Sequence, residues 1–396
     1  MKYRQPIAKG SRRAPATTEK GKAKPVDSGR AEREILRELQ TLMNRGILFT
    51  RIIQNLGLAV VMTLWAGCAT SRPGAMAPRH GDEIVVAGQM VHTGTRVVRW
   101  MDPGGYDAYR VERRFSPIEK SSWEDSVAEV KDLTSPNRYN LRKGELTEAE
   151  IERVRGGGWD LATLQRVVDQ FVLHYDASGT SRQCFKVLQD LRDLSVHFML
   201  DVDGTIYQTL DLKERAWHAT SSNSRSVGIE IANVGAYGPS GRNPFNLWYA
   251  KETNGQTRLN IPENFGDGGL RTTNFVGHPA RPEPVRGMVQ GKELAQYDFT
   301  PEQYRALIKL TATLCQVLPK IKCDYPRDAA GDLIRHKLPD EELSHYQGVM
   351  GHFHIQTNKV DPGPAFQWDY VIKSARRLMR PCRPKELKLD PNLGAF

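Results

Sequence analysis

No apolar run in this sequence is long enough to cross a bilayer as a helix. The longest nearly uninterrupted one, residues 56–67, falls short of the ~20 residues that a ~30 Å hydrocarbon core demands. Acidic residues are in deficit, 46 Asp and Glu against 56 Lys and Arg, for a formal net charge of +10. A basic balance suits nucleic acid, an anionic membrane surface or an acidic polymer. Yet the chain carries no recognised nucleic-acid motif and no basic stripe interleaved with aromatics. Part of the excess sits in the first forty residues, so no nucleic-acid partner is expected. Cysteine is scarce, five residues in 396. Beyond Cys68 the four others, Cys184, Cys315, Cys323 and Cys382, allow three pairings, and nothing singles one out. What the chain does have is 39% hydrophobic residues. That supports a soluble globular protein with a sizeable core, in one large domain or two ordinary ones.

The segment "MNRGILFTRIIQNLGLAVVMTLWAGCATSRPG", from Met43, opens on Arg45 and Arg51, continues into an apolar run and ends in small residues before Cys68. This is the pattern of an export signal. Its ending "LWAGC" resembles the lipobox of bacterial lipoproteins, in which the cysteine is lipidated and becomes the mature N-terminus. The expectation is a signal peptide at 43–67, a lipid anchor at Cys68 and a Pro/Gly linker at 68–83. The localisation that follows is the bacterial cell envelope, periplasm-facing and at the outer membrane in one reading. Residues 1–42 precede the signal, so translation is expected to begin at Met43, with 1–42 either untranslated or disordered. A short helix over residues 31–42 is compatible with the spacing in "AEREILRELQTL".

Residues 84–158 form an N-terminal extension of unknown role. Short strands are expected in "EIVVAGQMVHTGTRVVRW" and "YDAYRVERRF", and a helix capped by Thr147 in "LTEAEIERVRGGG". From 159 to 385 the pattern sharpens into one domain. "FVLHYDAS" reads as a buried strand and "SRQCFKVLQDLRD" as a helix. "SVHFMLDVDGTIYQTLD" reads as a hairpin turning at Asp203-Gly204, and "SVGIEIANVG" as another strand. Residues 236–299, rich in Gly, Pro and Asn, are an insertion too long for a simple connection. "TPEQYRALIKLTATLCQVL" is an amphipathic helix with Thr300 at the N-cap, Pro301 at N1 and Gln303 three residues after the cap. "GVMGHFHI" reads as a strand and "AFQWDYVIKSARRLM" as a closing helix. Alternating strands and helices argue for an α/β fold with a mixed central β-sheet flanked by helices.

The chemistry concentrates in "GHFHIQTNKVDPGPAF", residues 351–366. A catalytic zinc site takes three protein ligands, commonly imidazoles with a carboxylate, and keeps one position open. This stretch offers His352, His354 and Asp361. Residues two apart on a strand face the same side, so spacing does not decide between the two histidines. Pro362 restrains Asp361 to extended backbone. A further ligand must come from another strand end, where His174 stands.

The pieces "VLHYDAS", "VHFMLDVDGTIYQ", "RAWHA", "SVGIEIAN", "GHFHI" and "KVDPGPAF" occur in the order found in zinc-dependent N-acetylmuramoyl-L-alanine amidases of type 2. That family includes phage lysozyme-type amidases and is related to peptidoglycan recognition proteins. The chain resembles it over roughly residues 165–380. By position, the resemblance implies zinc ligands at His174, His352 and Asp361. It also implies Lys359 as catalytic lysine, Glu230 as active-site glutamate and His218 as a cleft histidine. The spacing from His352 to Asp361 is about one residue shorter than in many relatives, which keeps His354 in contention. In those roles Glu230 would move the proton of the attacking water to the leaving amine, Lys359 would meet the developing oxyanion, and His218 would hydrogen-bond substrate or intermediate. His197 is expected to be structural, His278, His336 and His345 to lie on the surface, and Trp217 and Trp368 to pack, with Trp217 near the cleft.

The implied activity is zinc-dependent hydrolysis of the amide between N-acetylmuramic acid and L-alanine, in peptidoglycan or its fragments, by a monomer. Two rivals stand beside it: a peptidoglycan-binding protein without activity, and a zinc amidase acting on another amide.

Overall fold

The computed structural model describes residues 36–43, 45–46 and 73–380. The chain divides into two units, Met1–Ala77 and Pro78–Phe396. In the first unit residues 36–43 and 45–46 are helical, within and just beyond the helix expected there. The apolar run 56–67, Cys68 and Cys382 lie outside the described residues. Among the described residues no helix is long and apolar enough to cross a membrane.

The second unit is an α/β fold. Its strands are β1 (Glu83–Val86), β2 (Gln89–His92), β3 (Val97–Arg99), β4 (Tyr139–Leu141), β5 (Gln170–Tyr175), β6 (Phe198–Leu200), β7 (Ile206–Gln208), β8 (Glu214–Ala216) and β9 (Ser226–Ile231). Then come β10 (Tyr249–Lys251), β11 (Thr257–Leu259), β12 (Val285–Val289), β13 (Lys292–Gln296) and β14 (Gly348–Gly351). The central sheet runs β14-β5-β9-β6-β7-β3. All neighbours are parallel except β6 and β7, the expected hairpin, which pair antiparallel. The principal helices are α1 (Trp123–Glu129), α2 (Glu148–Arg155), α3 (Leu161–Val167), α4 (Ser181–Lys186), α5 (Pro301–Val317) and α6 (Trp368–Leu378).

Parallel strands covered on both faces read as continuous apolar runs, and β5 is buried at Gln170 through His174. Alternation sends Phe171 and Leu173 into the core that α5 and α6 cover, with Leu307, Leu314, Val371 and Ile372. Val172 and Met350 point into a separate cluster with Leu338 and Leu343. Helix α5 begins as expected: Thr300 Oγ1 accepts from Gln303 N, and Gln303 Oε1 accepts from Thr300 N. Thr147 and Glu150 cap α2 in the same reciprocal way.

Three expectations need correction. "YDAYRVERRF" forms no strand; its Tyr106 and Ala108 instead pack with Phe185 and Tyr207. The helix from Ser181 stays α-helical only to Lys186 and continues as a π-helix over Val187–Leu191. The insertion 236–299 folds into the hairpins β10-β11 and β12-β13. Strand β14 stops at Gly351, and His352–His354 form a 3-10 turn, so the same-face argument for a strand does not apply to the two histidines.

The extension is woven into the second unit. β3 pairs with β7 at the sheet edge, and β4 pairs with β8. Among the described residues Cys184, Cys315 and Cys323 are free thiols.

Candidate metal centre

Three adjacent parallel strands, β14, β5 and β9, end side by side and deliver the polar groups of the site. His174 stands near the C-terminal end of β5, in register with Glu230 on β9. Gly351, the last residue of β14, is in register with Leu173, which places His352 just past the strand end beside His174. Asp361 returns to the same point through the 355–360 loop, and its carbonyl accepts from Phe353 N at 3.2 Å. Gly351 is required by this return: a Cβ there would lie 2.6 Å from Pro362 Cδ and 3.2 Å from Asp361 O.

The three groups converge. His174 Nδ1 is 3.0 Å from His352 Nδ1 and 2.8 Å from Asp361 Oδ2, and His352 Nδ1 is 3.0 Å from the same carboxylate oxygen. All three residues are buried, with exposures of 2%, 4% and 7%. Burial, with the neighbouring His352, lowers His174 to about 4, so its ring is neutral at pH 7. Burial pushes the Asp361 carboxyl up, but the His352 and His174 imidazoles outweigh it and hold Asp361 well below the usual range. Asp361 is therefore an anion.

Hydrogen bonds on the far side of the rings test whether these residues suit a cation. His352 Nε2 lies 2.6 Å from Gln356 Oε1. An amide oxygen only accepts, so Nε2 carries a proton, and the Nε2–H tautomer offers a lone pair at Nδ1. His174 Nε2 lies 3.0 Å from His218 Nδ1. Two imidazole nitrogens and a carboxylate oxygen packed within about 3 Å of one another form a cluster of electron pairs, a donor set that could hold a metal ion.

His354 does not join them. Its Nδ1 accepts from Gly351 N at 2.9 Å and its Nε2 donates to Ile334 O at 2.7 Å. Both ring nitrogens are engaged in holding the turn, and burial lowers the ring to about 3. His197 is likewise internal, accepting from Gly228 N and donating to Glu214 O. His336 and His345 are exposed. His278 is half-buried, donating to Thr257 O, and so departs from the surface expectation. Trp368 is core.

A cavity of about 250 Å³ opens over the group, bordered by Tyr175, Leu188, Trp217, Glu230, Asn358 and Lys359. Burial pushes the Glu230 carboxyl well above the ordinary range; the charges of Asp361 and Asp176 add to the rise and Lys359 opposes it. Among the described residues Glu230 Oε2 is enclosed without a hydrogen-bond partner. The pair of an enclosed carboxyl and a nearby ammonium can exchange a proton and stabilise negative charge. His218 borders the same cavity, but its ring nitrogens face His174 and, at 3.2 Å, Ser226 Oγ.

Sequence reasoning missed two members of the site. Gln356 orients His352, and its position four residues after that histidine was the available signal. Asp176 borders the cavity and burial raises it to about 7, against three backbone N–H groups that favour its charge. Its signal was a carboxylate closing the buried run "FVLHYD".

A family model described as N-acetylmuramoyl-L-alanine amidase matches residues 164–364. No curated protein matches the sequence. Among solved structures, a selenomethionine derivative of AmpD is 16% identical, with 61% of this chain and 92% of that one covered and a TM-score of 0.28. AmiD from E. coli, in complex with anhydro-N-acetylmuramic acid-L-Ala-D-γ-Glu-L-Lys, is 19% identical over 52% of this chain and 57% of that one, TM-score 0.29. The endolysin amidase LysCS from Clostridium intestinale URNW is 15% identical over 55% and 88%, TM-score 0.26. The family match takes in just over half of the chain, including His174, Glu230, His352 and Asp361, and the chain belongs to the N-acetylmuramoyl-L-alanine amidase family.

Proposed function

We propose that this protein hydrolyses the amide between the lactyl group of N-acetylmuramic acid and the L-alanine of the stem peptide, with zinc as its cofactor. The observation that carries the reading is the convergence of His174 Nδ1, His352 Nδ1 and Asp361 Oδ2 at 2.8–3.0 Å beneath a cavity that also holds Glu230 and Lys359. Zinc, held by those three residues, supplies Lewis-acid polarisation of the substrate carbonyl and acidification of water.

The chain's own residues supply the rest. Glu230, its carboxyl raised well above the ordinary range by burial, is the proton acceptor. It takes the proton of the attacking water and delivers it to the departing alanine nitrogen. The Lys359 ammonium meets the negative charge that develops on the carbonyl oxygen, a preorganised stabilisation that costs no reorganisation during reaction. Gln356 holds His352 in the tautomer that leaves its Nδ1 free. Buried walls around the strand ends exclude water and strengthen these electrostatic effects.

In the same reading the protein is exported, anchored through a lipid on Cys68, related to the peptidoglycan recognition proteins, and monomeric. A binder without activity would keep the pocket and dispense with a base. The enclosed, partnerless Glu230 Oε2 favours the enzyme over the binder. The test is incubation of residues 78–396, metal-loaded, with muropeptides, followed by mass spectrometry of the products. Release of stem peptide with a free L-alanine amine is expected. Intact muropeptide at stoichiometric zinc would favour the binder, and a different cleaved amide the third reading.

A further inference from the structure

We infer that His218 is a positioning residue for His174: it accepts the Nε2 proton of His174 and so keeps that ring's Nδ1 lone pair turned toward the metal position. This rests on the zinc reading above and changes the role of His218 from substrate contact to support of a ligand.

The geometry is specific. His218 Nδ1 stands 3.0 Å from His174 Nε2, and the rings meet edge to face, with centroids 5.2 Å apart and planes at 85°. Two neutral imidazoles can hydrogen-bond only when one nitrogen carries the proton and the other the lone pair. On the opposite edge, His218 Nε2 lies 3.2 Å from Ser226 Oγ. A serine hydroxyl accepts as readily as it donates. With Ser226 accepting from His218 Nε2, His218 Nδ1 is left as an acceptor, His174 Nε2 carries the proton, and His174 Nδ1 is bare. Each ring keeps one proton, so the relay introduces no charge behind the ligands.

The chain holds this relay in place by two further devices. Asn223 Oδ1 accepts from the backbone N–H groups of His218 and Ala219, at 3.1 and 2.6 Å, which pins the backbone that carries the ring. Gly228 on β9 leaves the ring its space: a Cβ there would lie 2.5 Å from His218 Nδ1 and Cε1. A histidine reaching out to substrate needs neither a close-fitting glycine behind it nor a hydroxyl on its far nitrogen. Partners of this sort typically change metal affinity 10–100-fold when removed.

The experiment measures zinc dissociation constants by competition with a chromogenic chelator for the full second unit and its variants, alongside the visible spectrum of the cobalt-substituted protein. His218→Phe keeps the ring and removes the acceptor; zinc should bind about 10–100-fold more weakly, with a shifted cobalt spectrum. His218→Asn places an amide oxygen where Nδ1 stood and should recover most of the loss. Ser226→Ala, which leaves both rings in place, should weaken zinc by a smaller factor and serves if His218→Phe fails to fold. Unchanged affinity in His218→Phe and Ser226→Ala overturns the inference. So does an Asn variant as weak as the Phe variant. Both outcomes leave the zinc reading standing, whereas a wild-type chain that takes up no zinc overturns the two together.

Discussion

Two histidines two residues apart have opposite fates, and the difference lies in what their far nitrogens touch. His352 directs Nδ1 to Asp361 because Gln356 Oε1 accepts a hydrogen bond from its Nε2–H, whereas His354 spends both nitrogens on Gly351 N and Ile334 O. Replacing His352 with Ala is therefore expected to abolish zinc binding. Replacing His354 with Ala leaves a buried N–H and a buried carbonyl unpaired. It should cost about 2 kcal/mol or more of stability while leaving one zinc per chain, as metal analysis and urea titration would show. Glu230→Gln keeps the shape and removes the base. A loss of about 10²–10⁴-fold in kcat is expected, with zinc content unchanged. The pH profile carries the sign of the burial effect. The base acts only when ionised, and its carboxyl lies above the ordinary value near 4.5, so activity should fall as pH drops through a point well above 4.5. An acid limb at or below 4.5 would count against Glu230. At this scale the residue types that converge at the candidate metal centre were legible in "VLHYDAS" and "GHFHIQTNKVDPGPAF", because a metal demands particular atoms. Which histidine faced inward was not legible, because hydrogen bonds to Gln356 and Ile334 decide it after the chain has folded.

At the scale of elements, periodicity and capping revealed where helices and strands begin more reliably than where they end. Thr300, Pro301 and Gln303 marked the start of α5, and Thr147 that of α2, because a cap is a local contact. The ends depend on neighbours. Strand β14 stops at Gly351 because the Asp361–Pro362 segment presses against it, leaving no room for a Cβ. The abrupt change from strand to 3-10 turn turns His352 toward His174. Gly351→Ala is thus a test of the junction without touching a ligand. The new methyl must displace Pro362, and Asp361 with it. Zinc affinity should weaken, and a carboxylate shifted by about 1 Å should cost about 10²-fold in rate. Wild-type affinity in that variant would mean that the junction does not set the ligand position. Residues 106–115 misled because their alternation serves irregular chain: Tyr106 stacks on Phe185 and Tyr207 rather than pairing in a sheet.

For the second unit as a whole, chain from both sides of residue 159 shares one sheet. The family match begins at 164, yet β3 from the extension completes the central sheet on β7. Just after β4, Arg142 is fully buried and donates to Leu212 O, Ser224 O and Ser226 O at 2.8–2.9 Å, and to Asn223 O at 3.3 Å. Ser226 opens the strand that carries Glu230, and Asn223 pins the backbone of His218. The extension therefore supports the floor of the site from behind. Nothing in composition could show this, since a lone arginine in a polar stretch reads as surface, and the carbonyls it meets lie 70 or more residues away. Arg142→Ala removes the donor that those carbonyls share. By analogy with breaking one side of a buried charged network, it should cost about 3–5 kcal/mol. A stronger version removes the whole extension. A fragment of residues 159–385 keeps every proposed ligand and the base, but it loses β3, β4 and Arg142. It exposes the β7 edge and strands the carbonyls around Ser226 in an apolar interior. It should be insoluble or lack a cooperative urea transition, whereas residues 78–396 should unfold cooperatively. A soluble 159–385 fragment that binds zinc with the affinity of the longer chain would show that the extension is an accessory.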